Sequence, residues 1–286
     1  MKVAFCFMTY EDIVHIDVWR SFFSDASENL FSVYIHSKRG ILTSGLAGSN
    51  IIPTQPTHWG HFNLVEVQQA LFCKAYNDPE NYKFILLSGD SIPLYSFATI
   101  YARLTSDDKG YMTFTKGANK AHREKFANKA AWLPRDTWEW YGSSQWCILN
   151  RHHIKLLIRH WPMLVATFSS PKLFASDEHV YPIFFNAYNH KSSFLTGVMY
   201  VEWSPSNVCS IAHRATPKTY HTEDLVERTV NTIYNAGALF LRKLCVHTTL
   251  VYDWTQEHPL QASPQRNNKI VTIKLQGLTR AKASGR

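Results

Sequence analysis

The sequence predicts an α/β protein whose central sheet is mixed but mostly parallel, with helices on both faces. Three observations carry this. The first hundred residues alternate strand and helix patterns, as expected of a parallel sheet built from crossover units. Short apolar runs, such as Val3–Met8 and Phe84–Leu87, are unbroken by polar residues, so those strands are buried on both faces. Hydrophobic residues make up 45% of the 286-residue chain, enough for one large packed domain.

In order, Val3–Met8 reads as the first strand and Glu11–Phe23 as a helix, with Ile13, Ile16 and Trp19 at helical spacing. Phe31–His36 is the second strand. A Gly/Ser-rich loop over 40–49 leads to a short strand at Ile51–Ile52, cut by Pro53 and Pro56. Asn63-x-x-Glu66 has capping-box spacing, and Leu64, Val67, Leu71 and Ala75 form one apolar stripe until Asn77-Asp78-Pro79. The strand Phe84–Leu87 follows and breaks at Ser88-Gly89-Asp90-Ser91. Asp90 therefore stands just past a strand's carboxyl end, the edge at which open α/β sheets bind ligands.

Further on, Tyr111–Phe114 reads as a strand and 116–129 as a flexible polar loop over the site. Four tryptophans fall between Trp132 and Trp146. Ile154, Leu157, Ile158 and Trp161 predict a helix ending at Pro162. Ser176 reads as an N-cap with Asp177 and Glu178 in the first turn, where the helix dipole favours negative charge. Val198–Trp203 is a strand, Asp224–Thr232 a helix, and Leu239–Leu244 a return to the core carrying Arg242 and Lys243. The expected division is a single domain over 1–250, donor-binding over about 1–115 and acceptor-binding over about 116–250, with a basic extension over 251–286.

Composition limits the function. The formal charge is +8, which suits an anionic ligand. No zinc finger, RNP-like aromatic motif or uninterrupted basic helix accompanies it, so nucleic acid is not the expected partner. The five cysteines show no CxxC spacing and read as reduced structural thiols, with no zinc site. No apolar run reaches the about 18 residues of a membrane span. Taken as a full chain, the sequence leads to an expectation of a soluble cytoplasmic protein, of a microbe or a large virus. A trimmed chain would belong to the Golgi lumen instead. There is no DxD pair, HExxH, P-loop, GxGxxG or GxSxG, so the expectation is no catalytic metal and no bound cofactor. A glycosidase would need two carboxylates flanking the bond. What remains is one carboxylate at a helix N-terminus, Glu178, and two cations at a strand end, Arg242 and Lys243.

Eight segments in order resemble glycosyltransferase family fourteen, the core-2/I-branching enzymes and xylosyltransferases, and most of all its short plant-type members. They are VAFCFMTY (3–10), FSVYIHS (31–37), HWGHFNLVEVQQALF (58–72), FILLSGDSIPLYSF (84–97), GSSQWCILNR (142–151), ASDEHVYPI (175–183), VEWS (201–204) and LFLRKL (239–244). The resemblance implies a GT-A fold. It also implies inverting, metal-independent transfer of a sugar, xylose ahead of N-acetylglucosamine, from a UDP-sugar to a hydroxyl of a glycan acceptor. By motif position it implies Glu178 as general base and Lys243 as a diphosphate cation, with Arg228 as the second cation. Asp90 would touch the donor sugar. Trp203 would stack on the acceptor, with Trp146 and Gln145 close by. The nucleoside would lie at the end of the second strand near His36, where relatives carry an Asp and this chain has Ser37 and Lys38. The alternative on the same scaffold is a non-catalytic carbohydrate- or nucleotide-binding module.

Overall fold

The computed structural model describes residues 1–40, 42, 45–46, 48–117, 132–133, 139–170, 173, 175–209 and 214–250. The elements run β1 (Lys2–Thr9), α1 (Ile16–Ser24), β2 (Phe31–Ser37), β3 (Asn50–Ile51), α2 (Asn63–Tyr76), β4 (Asn81–Ser88), β5 (Ile92–Pro93), α3 (Phe97–Thr105), β6 (Gly110–Tyr111), β7 (Thr115–Lys116) and β8 (Tyr141–Gly142). They continue with β9 (Ile148–Asn150), α4 (Arg151–Phe168), α5 (Ser176–Ala187), β10 (Phe194–Leu195), β11 (Met199–Val201), β12 (Trp203–Cys209), β13 (Arg214–Pro217), α6 (Glu227–Asn235) and β14 (Phe240–Arg242).

Seven strands form the main sheet in the order β10-β6-β9-β4-β1-β2-β3. From β4 to β3 they are parallel, and β9 runs antiparallel to both β4 and β6. The mixed, mostly parallel sheet covered on both faces is the one the alternation predicts. The apolar runs explain the covering. On one face Val3, Phe5, Phe7, Val33, Ile35, Ile85 and Leu87 pack with Trp19 and Phe22 of α1 and Ile100 of α3. On the other, Ala4, Cys6, Tyr34, Phe84 and Leu86 pack with α2, α4 and α5. Successive side chains of one strand thus feed two cores. A second sheet, β11-β14-β5, pairs β14 antiparallel to β5, which lies directly after the Asp90 turn.

Several boundaries differ from the sequence reading. The first helix begins at Ile16, not Glu11, because the backbone before it is committed elsewhere. The Val14 N–H donates to the Gly89 carbonyl at 2.8 Å, and the Thr9 and Ser37 hydroxyls donate to the Glu11 carbonyl. Asn63 does not cap α2. Its Oδ1 accepts instead from the His58 N–H at 3.0 Å. Ser176 is the first helical residue of α5, and the cap position falls to Ala175 in the left-handed region at φ 57°. α4 passes through Pro162 to Phe168. Pro162 and Ile158, whose carbonyl loses its helical donor, both lie on the exposed face, so water can satisfy that carbonyl. Tyr111–Phe114 divides between β6 and the approach to β7, and Lys116 pairs in β7 with Tyr141. Beyond Gly117 the expected loop lies outside the described residues, as does the extension 251–286.

Candidate active site

The site forms at the carboxyl edge of the parallel strands. Register pairs Met8 with both His36 and Ser88, so the ends of β2, β1 and β4 stand in one row. At strand spacing, His36 and Ser88 lie about 10 Å apart. Beyond β4 the chain turns at Gly89, which has no room for a side chain. A Cβ there would meet the Asp12 carbonyl at 2.9 Å.

Asp90 follows, and it organises the charges. Its Oδ1 accepts from the Ser88 hydroxyl at 2.5 Å and from Arg242 Nε at 3.1 Å, while its Oδ2 lies 3.9 Å from Lys243 Nζ. Arg242 Nε also lies 3.1 Å from Ser88 Oγ. The guanidinium carbon sits 5.2 Å from the centre of the Trp146 ring, within cation–π range. Pairing of β14 with β5 delivers both cations, and the Leu244 N–H completes the join by donating to the Asp90 carbonyl at 3.2 Å. The Lys243 carbonyl accepts from the Tyr220 N–H at 2.7 Å, and the Tyr220 phenol in turn donates to Glu202 beside Trp203.

Glu178 occupies the first turn of α5. The Ala175 N–H donates to the Gly60 carbonyl at 2.8 Å, which ties this turn to the loop opening α2. Since α2 leads back to the start of β4, that loop is at the same carboxyl edge. The Glu178 carbonyl accepts from the Ser143 N–H at 2.8 Å. The segment from Ser143 to Trp146 therefore links the glutamate's helix to the ring beneath Arg242. Burial raises the Glu178 carboxyl above the usual range. Its neighbour Asp177 is pushed up to about 7, chiefly by burial and next by the Glu178 charge. A carboxylate held by its surroundings closer to neutrality is suited to accept a proton there.

The other sequence-predicted residues are placed as follows. His36 is buried, and its Nε2 accepts from the Gln55 N–H at 3.1 Å, so that nitrogen is used within the fold. Trp146 is 6% exposed and lies under Arg242, which makes it a support for that side chain and not an open platform. Gln145 is half-buried, with Gln68 Nε2 3.5 Å from its Oε1. Trp203, at 56% exposure, does present an open aromatic face. Arg228 is exposed in the first turn of α6, and among the described residues the ion pairs of Asp90 are with Arg242 and Lys243. It is thus Arg242 that shares Asp90 with Lys243. Strand alternation would send neighbouring side chains to opposite faces, but β14 ends at Arg242 and the rule stops applying there. Ser88 and Asp177 also belong to the site, and only their positions beside Asp90 and Glu178 signalled them.

The sequence profile of the Core-2/I-Branching enzyme family matches residues 3–234. The chain belongs to that family. Among curated proteins, this Core-2/I-Branching family member is similar to "Glycosyltransferase BC10" of Oryza sativa subsp. japonica, 26% identical over 164 residues. That match covers 55% of this chain and 40% of the rice protein. Among solved structures, it is similar to the galactosyltransferase LgtC in complex with donor and acceptor sugar analogs, with a TM-score of 0.41 and 13% identity. That superposition covers 84% of this chain and 87% of LgtC.

Proposed function

We propose that this chain is an inverting, metal-independent GT-A glycosyltransferase that moves a sugar from a UDP-sugar to a hydroxyl of a glycan acceptor. The observation that carries the reading is the pair Arg242 and Lys243, gathered at the carboxyl edge of the sheet in a member of the Core-2/I-Branching family. Two fixed cations suit a leaving diphosphate and do there what a divalent ion does elsewhere. The absence of a DxD pair from the whole sequence agrees with this division of labour.

In the proposed reaction the acceptor hydroxyl attacks the anomeric carbon from the face opposite the diphosphate. Glu178 takes the hydroxyl proton, and the bond to the β-phosphate oxygen breaks with its electron pair remaining on that oxygen. Arg242 and Lys243 meet the charge that develops. Binding of the donor also requires Asp90 to share its two cations with the phosphates. Trp203 offers an open ring for stacking on an acceptor sugar. Xylose is proposed ahead of N-acetylglucosamine as the transferred sugar, on the likeness to plant-type members.

The test is release of UDP from UDP-xylose and UDP-N-acetylglucosamine in excess EDTA, comparing wild type with Glu178→Gln. Turnover that survives EDTA and is lost in the variant supports the reading and names the donor. If UDP binds by calorimetry but no donor is turned over with any glycan acceptor, the chain is a binding module and the catalytic reading falls.

A further inference from the structure

Trp59, in the loop that opens α2, is the most exposed large apolar side chain among the described residues, at 74%. The reaction as derived above gives it no role. His58-Trp59-Gly60-His61 form a tight turn, closed by the His61 N–H donating to the His58 carbonyl at 3.1 Å. Gly60 takes φ 75° at the third position, as a type II turn requires, so Trp59 falls at the outer corner. Three contacts fix that corner. The His58 N–H donates to Asn63 Oδ1 at 3.0 Å. The Gly60 carbonyl accepts from the Ala175 N–H at 2.8 Å. Phe62, just after the turn, is buried and stacks on Trp161 with ring centres 5.8 Å apart. The indole is therefore held out by a rigid support, although burying so large a ring would be favourable. Its neighbours show what it suits. Among the described residues no other large apolar side chain from Ile52 to Tyr76 is exposed, so the turn lacks the apolar patch of a protein interface. Trp59 is flanked instead by two exposed imidazoles, His58 and His61, with ring centres 5.7 Å apart. Asn63 sets the tautomer of the first. Its Oδ1 is taken by the His58 N–H, so its amide nitrogen faces His58 Nδ1 at 3.1 Å and can only donate to it. The neutral His58 ring then carries its proton on Nε2, as a hydrogen-bond donor. A flat ring among neutral polar groups complements a sugar, which offers a face of C–H bonds and a rim of hydroxyls.

We propose that the turn from His58 to His61 is a carbohydrate subsite, Trp59 stacking on the C–H face of a pyranose ring and His58 Nε2 donating to one of its hydroxyls. On the transferase reading above, on which this clause rests, that ring belongs to the acceptor. The Gly60–Ala175 hydrogen bond sets the turn against the residue before α5, and the Ala175 carbonyl accepts from the Glu178 N–H at 3.0 Å. Trp59 thus lies on the order of 10 Å from Glu178, along two hydrogen bonds and the backbone between them. That is beyond the ring whose hydroxyl reacts, so Trp59 holds a sugar farther along the chain. Trp203 reaches the site through a different partner, by way of Glu202 and Tyr220 to Lys243. The acceptor is then an oligosaccharide, and Trp59 sets the preference for its length.

The experiment is fluorine NMR of the full chain labelled with fluorotryptophan, titrated with xylose, with N-acetylglucosamine and with the β-linked oligomers of each. The Trp59 signal is the one absent from both Trp59→Phe and Trp59→Tyr. The expected result is a saturable shift of that signal with the oligomers of one of the two sugars, at lower concentration than with its monosaccharide. Trp59→Ala should bind the same oligomer about tenfold more weakly by calorimetry, as for losing the burial of half a large apolar side chain. His58→Ala should bind it about threefold more weakly, the loss of one neutral hydrogen bond. Thermal midpoints check that the variants fold, and the shift itself is read on the unsubstituted chain. A Trp59 signal that no oligomer moves overturns the subsite. So does one moved only by phosphatidylserine vesicles or by raising the protein concentration, which gives the ring to a lipid surface or to a second copy. UDP calorimetry on wild type separates this inference from the reading beneath it. UDP binding without a sugar shift removes the subsite and leaves the donor reading. A sugar shift without UDP binding keeps the subsite and removes the transferase.

Discussion

Arg242 Nε donates to Asp90 Oδ1 at 3.1 Å, a hydrogen bond that joins residues 152 positions apart. The contact is charged on both sides and mostly shielded from water, so removing either partner exposes the other to an uncompensated environment. On the proposed reading it gives Arg242 the role that the resemblance implied for Arg228. Arg242→Ala is expected to weaken UDP binding by about tenfold or more, and Lys243→Ala by less, since Lys243 is the more exposed partner at the longer distance. Arg228→Ala should change the affinity by less than about threefold, as for other surface substitutions. Calorimetry with UDP checks all three. A larger effect at Arg228 than at Arg242 would reverse the assignment.

Glu178→Gln keeps the size of the side chain and removes its ability to take a proton. Turnover should fall by about a hundredfold or more, with UDP affinity within about twofold of wild type. Because burial raises the Glu178 carboxyl, the acid limb of the wild-type activity profile should lie above the usual carboxylate value of about 4.3. An acid limb at or below that value would remove Glu178 as the group that must be ionised.

Asp177 gives a stability prediction of opposite character. Its carboxyl titrates near 7 when folded, above the unfolded value of about 3.9. Folding therefore favours the protonated form. The favourable contribution is complete below the unfolded pKa and is lost as pH rises through the folded one. Wild type should thus melt lower at pH 8 than at pH 6. Asp177→Asn should shrink that difference and raise the midpoint at pH 8 by about 3 °C for each kcal/mol recovered. Unchanged pH dependence in the variant would show that another group sets it.

Gly89→Ala places a methyl group 2.9 Å from the Asp12 carbonyl and 3.1 Å from Thr9 Cγ2. One of these is backbone and cannot rotate away. The turn must shift, at a cost of about 1–3 kcal/mol, and Asp90 moves with it. Urea denaturation should report the lost stability and calorimetry a weaker UDP complex. Loss of neither would mean that the turn is more forgiving than its packing implies.

How much of this was legible in the sequence follows from where each signal originates. β1, β2 and β4 were readable because burial on both faces leaves mostly apolar runs, such as Val3–Met8 and Phe84–Leu87, and that pattern is local. Arg242 and Lys243 stood out as charges attached to an apolar run, and Glu178 as an acid beside a helix start. The start of α1 and the caps of α2 and α5 were not readable. The Val14 N–H is committed to distant Gly89, the Asn63 side chain to His58 five residues back, and the Ala175 N–H to distant Gly60. That Arg242 reaches Asp90 was hidden because only the pairing of β14 with β5 brings it there. The buried state of His36 and the guanidinium over Trp146 also depend on contacts that no local spacing encodes.

The pairing of β14 with β5 has a consequence for the order in which the protein becomes competent during synthesis. The parallel strands β1, β2 and β4 are complete by Ser88, whereas the cations that serve their carboxyl edge lie at Arg242 and Lys243. A ribosome adding about 5–20 residues per second takes several seconds or more to cross that interval. Until then the emerging chain can hold the parallel strands with the Asp90 carboxylate at their edge and neither of its cations in place. On the proposed reading, an unfinished chain repels the nucleotide, and the ability to engage a donor is among the last properties it acquires.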